Sequence, residues 1–193
     1  MTVEEIGHIL LIRHGETPAT LNRKYEGSGN SSLTATGQEQ ARNLSRILEP
    51  VNIYAVYSSP KRRCLQTAEA IAEPHSLAAQ VAPGLEEVDF GSWEGLTFTK
   101  IQQKHPDMLS KWIDDPVHVR PPSGESLEEM ANRVFQCFDR ICSIHLGDQI
   151  IAIVTHGGPI RALLSRTDRG DLSGFWEYSV PPCAVHCISN VRR

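Results

Sequence analysis

Three short stretches carry residues able to do chemistry together. Leu11-Ile12-Arg13-His14-Gly15-Glu16-Thr17 ends an apolar run on a guanidinium, an imidazole and a glycine. Arg13 offers a planar, permanently charged fork that pairs with phosphate or carboxylate. His14 titrates near neutrality and can serve as nucleophile, base or metal ligand. A second apolar run, Ile150 to Val154, ends on Thr155-His156-Gly157-Gly158. A third, Ile53 to Tyr57, leads through Ser58-Ser59-Pro60 to Arg62 and Arg63. Each stretch alone reads as a strand end with a structural histidine or a solvated arginine. Brought together, two arginines, two histidines and helix N-terminal amides suit a phosphate dianion. No Gly-x-Gly-x-x-Gly follows the first run, and the chain has no Gly-x4-Gly-Lys-Ser/Thr loop, so dinucleotide and nucleoside triphosphate sites are not indicated.

The elements between these runs decide whether they meet. Ile9 to Ile12, Ile53 to Tyr57, Gln80 to Leu85, Ile150 to Val154 and Ala184 to Ile188 read as strands. Thr17 to Ser32, rich in Gly, Asn and Ser, reads as a long loop. A helix is expected from Thr34 or Thr36, with Thr36 and Glu39 as a capping box, and its stripe is Ala41, Leu44, Ile47 and Leu48. Another runs from Lys61 to Ala72 after an N-cap at Ser58-Ser59. One or two short helices are expected within 97–115, where the helical pattern is broken by Pro106 and Pro116. A long helix follows a Ser126/Glu129 capping box, with Leu127, Met130, Ala131, Val134, Phe138 and Ile141 facing the core. The last starts at Pro159 and reaches about Ser165. Strand and helix alternate, which predicts an α/β fold: a three-layer α/β/α with a mostly parallel central sheet. The parallel strands would then align the three chemical stretches along one sheet edge, under a short helical cap over the strand C-terminal ends. The expected organisation is a single domain, 1–193, with 95–122 as its cap segment.

Bulk properties set limits. The chain has 193 residues and a formal net charge of -4, which argues against a nucleic-acid partner or an anionic-membrane binder. Any anion site must be a local concentration of Arg and His. The N-terminal Met1-Thr2-Val3-Glu4-Glu5 lacks the features of a signal peptide, and no apolar run approaches membrane-spanning length. A cytoplasmic protein with no membrane association is expected. Five cysteines, Cys64, Cys137, Cys142, Cys183 and Cys187, are scattered without zinc-site spacing and read as reduced thiols, with no metal site expected.

Five motifs in order then resemble the histidine phosphatase superfamily, the phosphoglycerate-mutase-like fold, over His8 to about Ile188. They are Arg13-His14-Gly15-Glu16-Thr17, Ser58-Ser59 with Arg63 and Gln66-Thr67-Ala68, Glu87-Val88-Asp89-Phe90-Gly91-Ser92-Trp93-Glu94-Gly95, Gly124-Glu125-Ser126 and Thr155-His156-Gly157-Gly158. The resemblance implies that His14 is phosphorylated, that Arg13, Arg63 and His156 hold the phosphoryl group, and that Glu87 protonates the leaving oxygen. It selects Arg63 over Arg62 and Glu87 over Glu86. A glutamate with an ordinary pKa of about 4.3 is ionised at pH 7. A donor role therefore calls for burial, or for a neighbouring carboxylate such as Glu86 or Asp89. Where many members carry an Asn, this chain has Thr20, with Asn22 two residues on; both are candidate substrate donors. Tyr25, Glu26 and Gly27, with Gly157 at the later helix start, complete the candidate substrate-binding set. Tyr25-x-Gly27, Phe175-Trp176 and Pro182-Cys183-Ala184-Val185 are similar to the α-ribazole phosphatase branch. The implied activity is hydrolysis of a small phosphorylated metabolite, with α-ribazole 5'-phosphate as one candidate and no cofactor. The alternatives are phosphoglycerate-mutase-type transfer and a non-catalytic phosphate-binding protein. Monomer and homodimer both remain open.

Overall fold

The computed structural model describes residues 8–145 and 148–189. The apolar runs become β1 (His8–Arg13), β2 (Ile53–Ser58), β3 (Ala79–Val81), β4 (Ile150–Thr155) and β5 (Val185–Ser189). They form one sheet in the order β3-β2-β4-β1-β5. Strands β1 to β4 pair in parallel, and β5 lies antiparallel on β1. Central β4 is buried from Ile151 to Thr155, as a strand covered on both faces must be.

Helices α1 (Pro18–Leu21), α2 (Ala35–Leu48), α3 (Arg62–Ala72), α4 (Phe98–Lys104), α5 (Pro106–Asp114), α6 (Leu127–Ile144) and α7 (Gly157–Arg169) connect these strands. Leu44 and Leu48 of α2 and Cys64, Ala68 and Ile71 of α3 pack on one face, against Leu10, Ile12, Val56 and Val154. On the other face, Met130, Val134 and Ile141 of α6 and Ile160 and Leu163 of α7 pack against Ile9, Leu11, Tyr57, Ile151 and Ile153. This is the three-layer α/β/α arrangement. A separate apolar cluster joins Trp93 to Ile101 of α4 and to Leu109 and Trp112 of α5, with Tyr25 and Phe90 against it.

Most departures from the sequence expectations fall at element ends. Within the expected long loop, Thr17 and Thr20 cap each other reciprocally and Pro18 takes the first helical position, which is enough for the single turn α1. Thr34, not Thr36, caps α2, accepting from Gly37 N–H at 3.0 Å. Glu39 instead pairs with Arg42. Lys61 occupies the N-cap of α3 without a side-chain bond, because the Ser59 hydroxyl faces His156 Nε2 at 2.9 Å. The Arg62 N–H is taken by Asn30 Oδ1 at 2.7 Å. Strand β3 stops at Val81, since Ala82 N–H turns back to Ser58 O at 2.8 Å. Helix α7 begins two residues before Pro159 and continues to Arg169, where Gly170 ends it in the left-handed region.

The Ser126/Glu129 capping box forms as expected, and the buried stripe of α6 includes Cys137, with Phe138 at its edge. All five cysteines are free. No helix among the described residues is long and apolar enough to cross a membrane. Because Ser126 holds the Glu129 N–H at 3.2 Å while Glu129 returns to the Ser126 N–H at 2.9 Å, Ser126→Ala should cost about 1 kcal/mol of stability. Equilibrium urea unfolding checks this as a lower midpoint at unchanged slope.

Candidate active site

The parallel ladder does not stop where the strands do. His14 N–H donates to Thr155 O at 3.0 Å, and Ser59 N–H donates to Val154 O at 3.0 Å. The ends of β1, β4 and β2 therefore stay in register one residue further, and His14, His156 and Ser59 are fixed side by side. The two imidazoles lie 5.2 Å apart between ring centroids, near edge-on.

His14 has a defined tautomer. Its Nδ1 lies 2.7 Å from the Gly15 carbonyl, which can only accept, so the proton sits on Nδ1 and the Nε2 lone pair is free. Burial, followed by the Arg13 and Arg63 charges, pushes its pKa down to about 3, against the smaller opposing effect of the Gly15 bond. At neutral pH the ring is uncharged. His156 takes the opposite tautomer. Arg63 Nε donates to its Nδ1 at 3.3 Å, so its Nε2–H points to the Ser59 hydroxyl. Burial first, then Arg63, hold its pKa well below the usual histidine value.

A cavity of about 290 Å³ opens on His14, and Arg13, Thr20, Tyr25, Glu26 and Glu87 share its wall. Arg13 Nη1 donates to Val180 O at 2.6 Å, while its buried Nε has no partner. Arg63 lies behind the wall, 1% exposed. It donates to Gly29 O at 2.8 Å, to Glu26 O at 3.2 Å and to Gly27 O at 3.3 Å. The direct phosphoryl contacts implied for Arg63 and His156 thus require both side chains to exchange protein partners.

Asn22 and Gly27 do not reach the cavity. Asn22 turns its amide back to Pro18 O at 2.7 Å and is exposed. Gly27 gives its N–H to Glu94, at 2.9 Å to one oxygen. A β-carbon on Gly27 would fall 1.6 Å from Val88 O, so the close approach of two backbones, rather than substrate, requires glycine there. Thr20 is on the wall, but its hydroxyl serves the α1 cap, bonding Thr17 O at 2.9 Å and Thr17 N–H at 2.8 Å. Gly157 is buried at the start of α7, off the cavity wall.

Glu87 sits at that helix start. Its carboxylate accepts from Gly158 N–H at 3.1 Å and from its own neighbour Val88 N–H at 3.0 Å. The neighbouring carboxylates offered as its partners, Glu86 and Asp89, both hydrogen-bond elsewhere. Glu86 turns to Gly84 N–H at 2.7 Å, and Asp89 to Gly91 N–H at 2.9 Å. Arg133 of α6 holds this segment by Glu86 O at 2.7 Å and Glu87 O at 2.8 Å. Glu125 accepts Asp89 N–H at 2.9 Å and Arg133 Nε at 3.1 Å, so it braces Glu87 rather than facing a ligand.

Sequence reasoning passed over Ser59 as a partner of His156, Thr67, which accepts Gly15 N–H at 3.1 Å, Arg133 and Gly158. A buried threonine in mid-helix was the one available signal. The others depend on contacts between segments far apart in the chain.

A neutral imidazole with a free Nε2, two arginines and a carboxylate at a helix N-terminus define a site built for phosphoryl chemistry. The chain belongs to the histidine phosphatase superfamily (branch 1), which it matches over residues 9–191. It is 32% identical over 170 residues to the adenosylcobalamin/alpha-ribazole phosphatase of Escherichia coli, covering 88% of this chain and 83% of that protein. It is 31% identical over 170 residues to phosphoserine phosphatase 1 of Hydrogenobacter thermophilus, covering 88% of this chain and 80% of that one. The crystal structure of the alpha-ribazole phosphatase from Shigella flexneri superposes with a TM-score of 0.86 at 29% identity, covering 96% of this chain and 94% of the other. Relatives from Mycobacterium tuberculosis, 37% identical over 157 residues, are longer, and the chain spans 43% of their length.

Gly158 supplies the sharpest test of this geometry. A β-carbon there would stand 2.2 Å from Glu87 Oε1. Gly158→Ala should displace the Glu87 carboxylate and lower kcat at least about tenfold for any reaction that uses it. Far-ultraviolet circular dichroism should stay that of the wild type.

Proposed function

We propose that the protein is a phosphomonoester hydrolase working through a phosphohistidine, and that the observation carrying this reading is the His14 tautomer. Nδ1–H is tied to Gly15 O, which leaves Nε2 as the neutral nucleophile of a residue that lines one cavity with Glu87. Nε2 attacks phosphorus, and the bond from phosphorus to the ester oxygen breaks. Glu87, carrying a proton taken up with the substrate, gives it to that leaving oxygen. Water then attacks the phosphohistidine, Glu87 takes up the water proton, and inorganic phosphate departs with His14 restored.

Arg13 meets the phosphoryl oxygens with its unpartnered Nε. Phosphoryl oxygens replace the loop carbonyls on Arg63, a charge-assisted exchange that favours the bound state. Two guanidinium groups next to His14 support charge neutralisation without a metal ion or cofactor. The substrate is a small phosphorylated metabolite. The named activities of the Escherichia coli and Shigella flexneri relatives support α-ribazole 5'-phosphate as a candidate. The phosphoserine phosphatase, at almost the same identity, supports only the broader class. We assign 95–122 as a cap, supported by Phe98 of α4 on the cavity wall. The cytoplasm is its proposed compartment, which five free thiols support.

The test is rapid acid-free quench of the protein mixed with a phosphorus-32-labelled phosphomonoester in excess chelator. Alkali-stable, acid-labile label should appear on the wild type and be absent from His14→Ala, whose turnover should fall at least about 10³-fold. Turnover lost to the chelator, or undiminished in His14→Ala, would overturn the reading.

A further inference from the structure

Arg23 stands where a side chain is disfavoured. Its φ is 51°, in the left-handed region, immediately after α1. There its N–H donates to Thr20 O at 3.2 Å and Lys24 N–H donates to Ala19 O at 2.9 Å. A helix ending this way usually takes glycine at the left-handed residue, because a β-carbon crowds the backbone there. A strained residue kept at a cavity mouth is a pointer to function. Arg23 is exposed and lines the same cavity as His14 and Glu87, with Lys24 beside it.

The charges around that cavity are not equally available. Glu26 accepts from the Ser31 hydroxyl at 2.7 Å and from Ser31 N–H at 3.1 Å. Glu87 is held by Gly158 N–H. Arg13 is tied to Val180 O. The side chains of Arg23 and Lys24 make no hydrogen bond or ion pair among the described residues. Tyr25, Phe90 and Phe98 add aromatic surface to the same cavity. In a chain of net charge -4, two free cations at one cavity mouth are a local reversal of sign, which attracts an anion.

We propose that Arg23, assisted by Lys24, binds a second anionic group, a carboxylate or a phosphate, on the leaving-group side of the substrate. This rests on the phosphomonoesterase reading of the His14 site and narrows it: preferred substrates carry a negative charge besides the phosphate that is transferred. Arg23 determines specificity and touches no reacting atom.

Two matched pairs of substrates test this. The first is 3-phosphoglycerate against glycerol 3-phosphate, which differ by a carboxylate. The second is ribose 1,5-bisphosphate against ribose 5-phosphate, which differ by a phosphate. The wild type should prefer the charged member of at least one pair about tenfold in kcat/KM, carried mainly by KM, and raised salt should erode the preference. The pair with the larger ratio identifies the group. Arg23→Gly, which relieves the left-handed strain, should lose the preference without a lower Tm. Arg23→Glu should reverse it, Arg23→Lys should keep most of it, and Arg46→Ala, exposed on α2, should leave it intact. Isothermal calorimetry of the same four compounds reads the preference without turnover. Hydrolysis of all four with no preference in either pair, or a preference surviving in Arg23→Gly and Arg23→Glu, would overturn the proposal while leaving the hydrolase reading standing. A calorimetric preference with no hydrolysis of any compound would do the reverse.

Discussion

The site depends on one hydrogen bond, from His14 Nδ1–H to the carbonyl of its own neighbour, Gly15, at 2.7 Å. Without it, a buried imidazole between two guanidinium groups could carry its proton on either nitrogen. With it, the lone pair is committed to Nε2. Burial, and after it the same two arginines that suit an anion, keep His14 unprotonated, since a third cation beside them is disfavoured. The free lone pair and the electropositive cavity wall therefore come from one arrangement of charge.

Backbone carbonyls hold that arrangement in place. Arg13 is anchored to Val180 O, Arg63 to Gly29 O, Arg133 to Glu86 O and Glu87 O, and Arg161 to Tyr178 O. The four guanidinium groups pin three segments, so the loop after α1, the Glu87 segment and, through both Arg13 and Arg161, the chain before β5 are tied to the sheet edge by the side chains that make it electropositive. Glu94 closes the circuit by accepting from Gly27 and Ser28 N–H, both at 2.9 Å. Burial of these charges is tolerable because nearly every donor has an acceptor. Among the described residues, Arg13 Nε is the guanidinium nitrogen buried without an acceptor.

How much of this was legible in the sequence depended on range. The unbroken run Ile150 to Val154 announced a central strand, and strand ends carrying Arg13-His14, Ser58-Ser59 and His156 had to converge once the sheet was parallel. The family resemblance selects Glu87 over Glu86, and Glu86 does turn away, to Gly84. The partners of these groups were not legible. Ser59 looked like a helix cap because Pro60 follows it, yet its hydroxyl answers His156, and Asn30, distant in sequence, serves α3 instead. The family resemblance made Asn22 and Gly27 candidate substrate contacts, but one closes its own turn and the other allows two backbones to touch. Arg23 drew no attention at all, because a left-handed arginine is invisible until the backbone is known.

The account stands on the protonation of one ring, and nitrogen-15 NMR of the histidine-labelled protein observes it directly. His14 should give the Nδ1–H tautomer at pH 7, with Nε2 unprotonated, and should stay neutral on acidification well below pH 6.5, since its pKa is pushed down to about 3. An Nε2–H tautomer, or a His14 that takes up its proton near pH 6.5 while the fold persists, would contradict it.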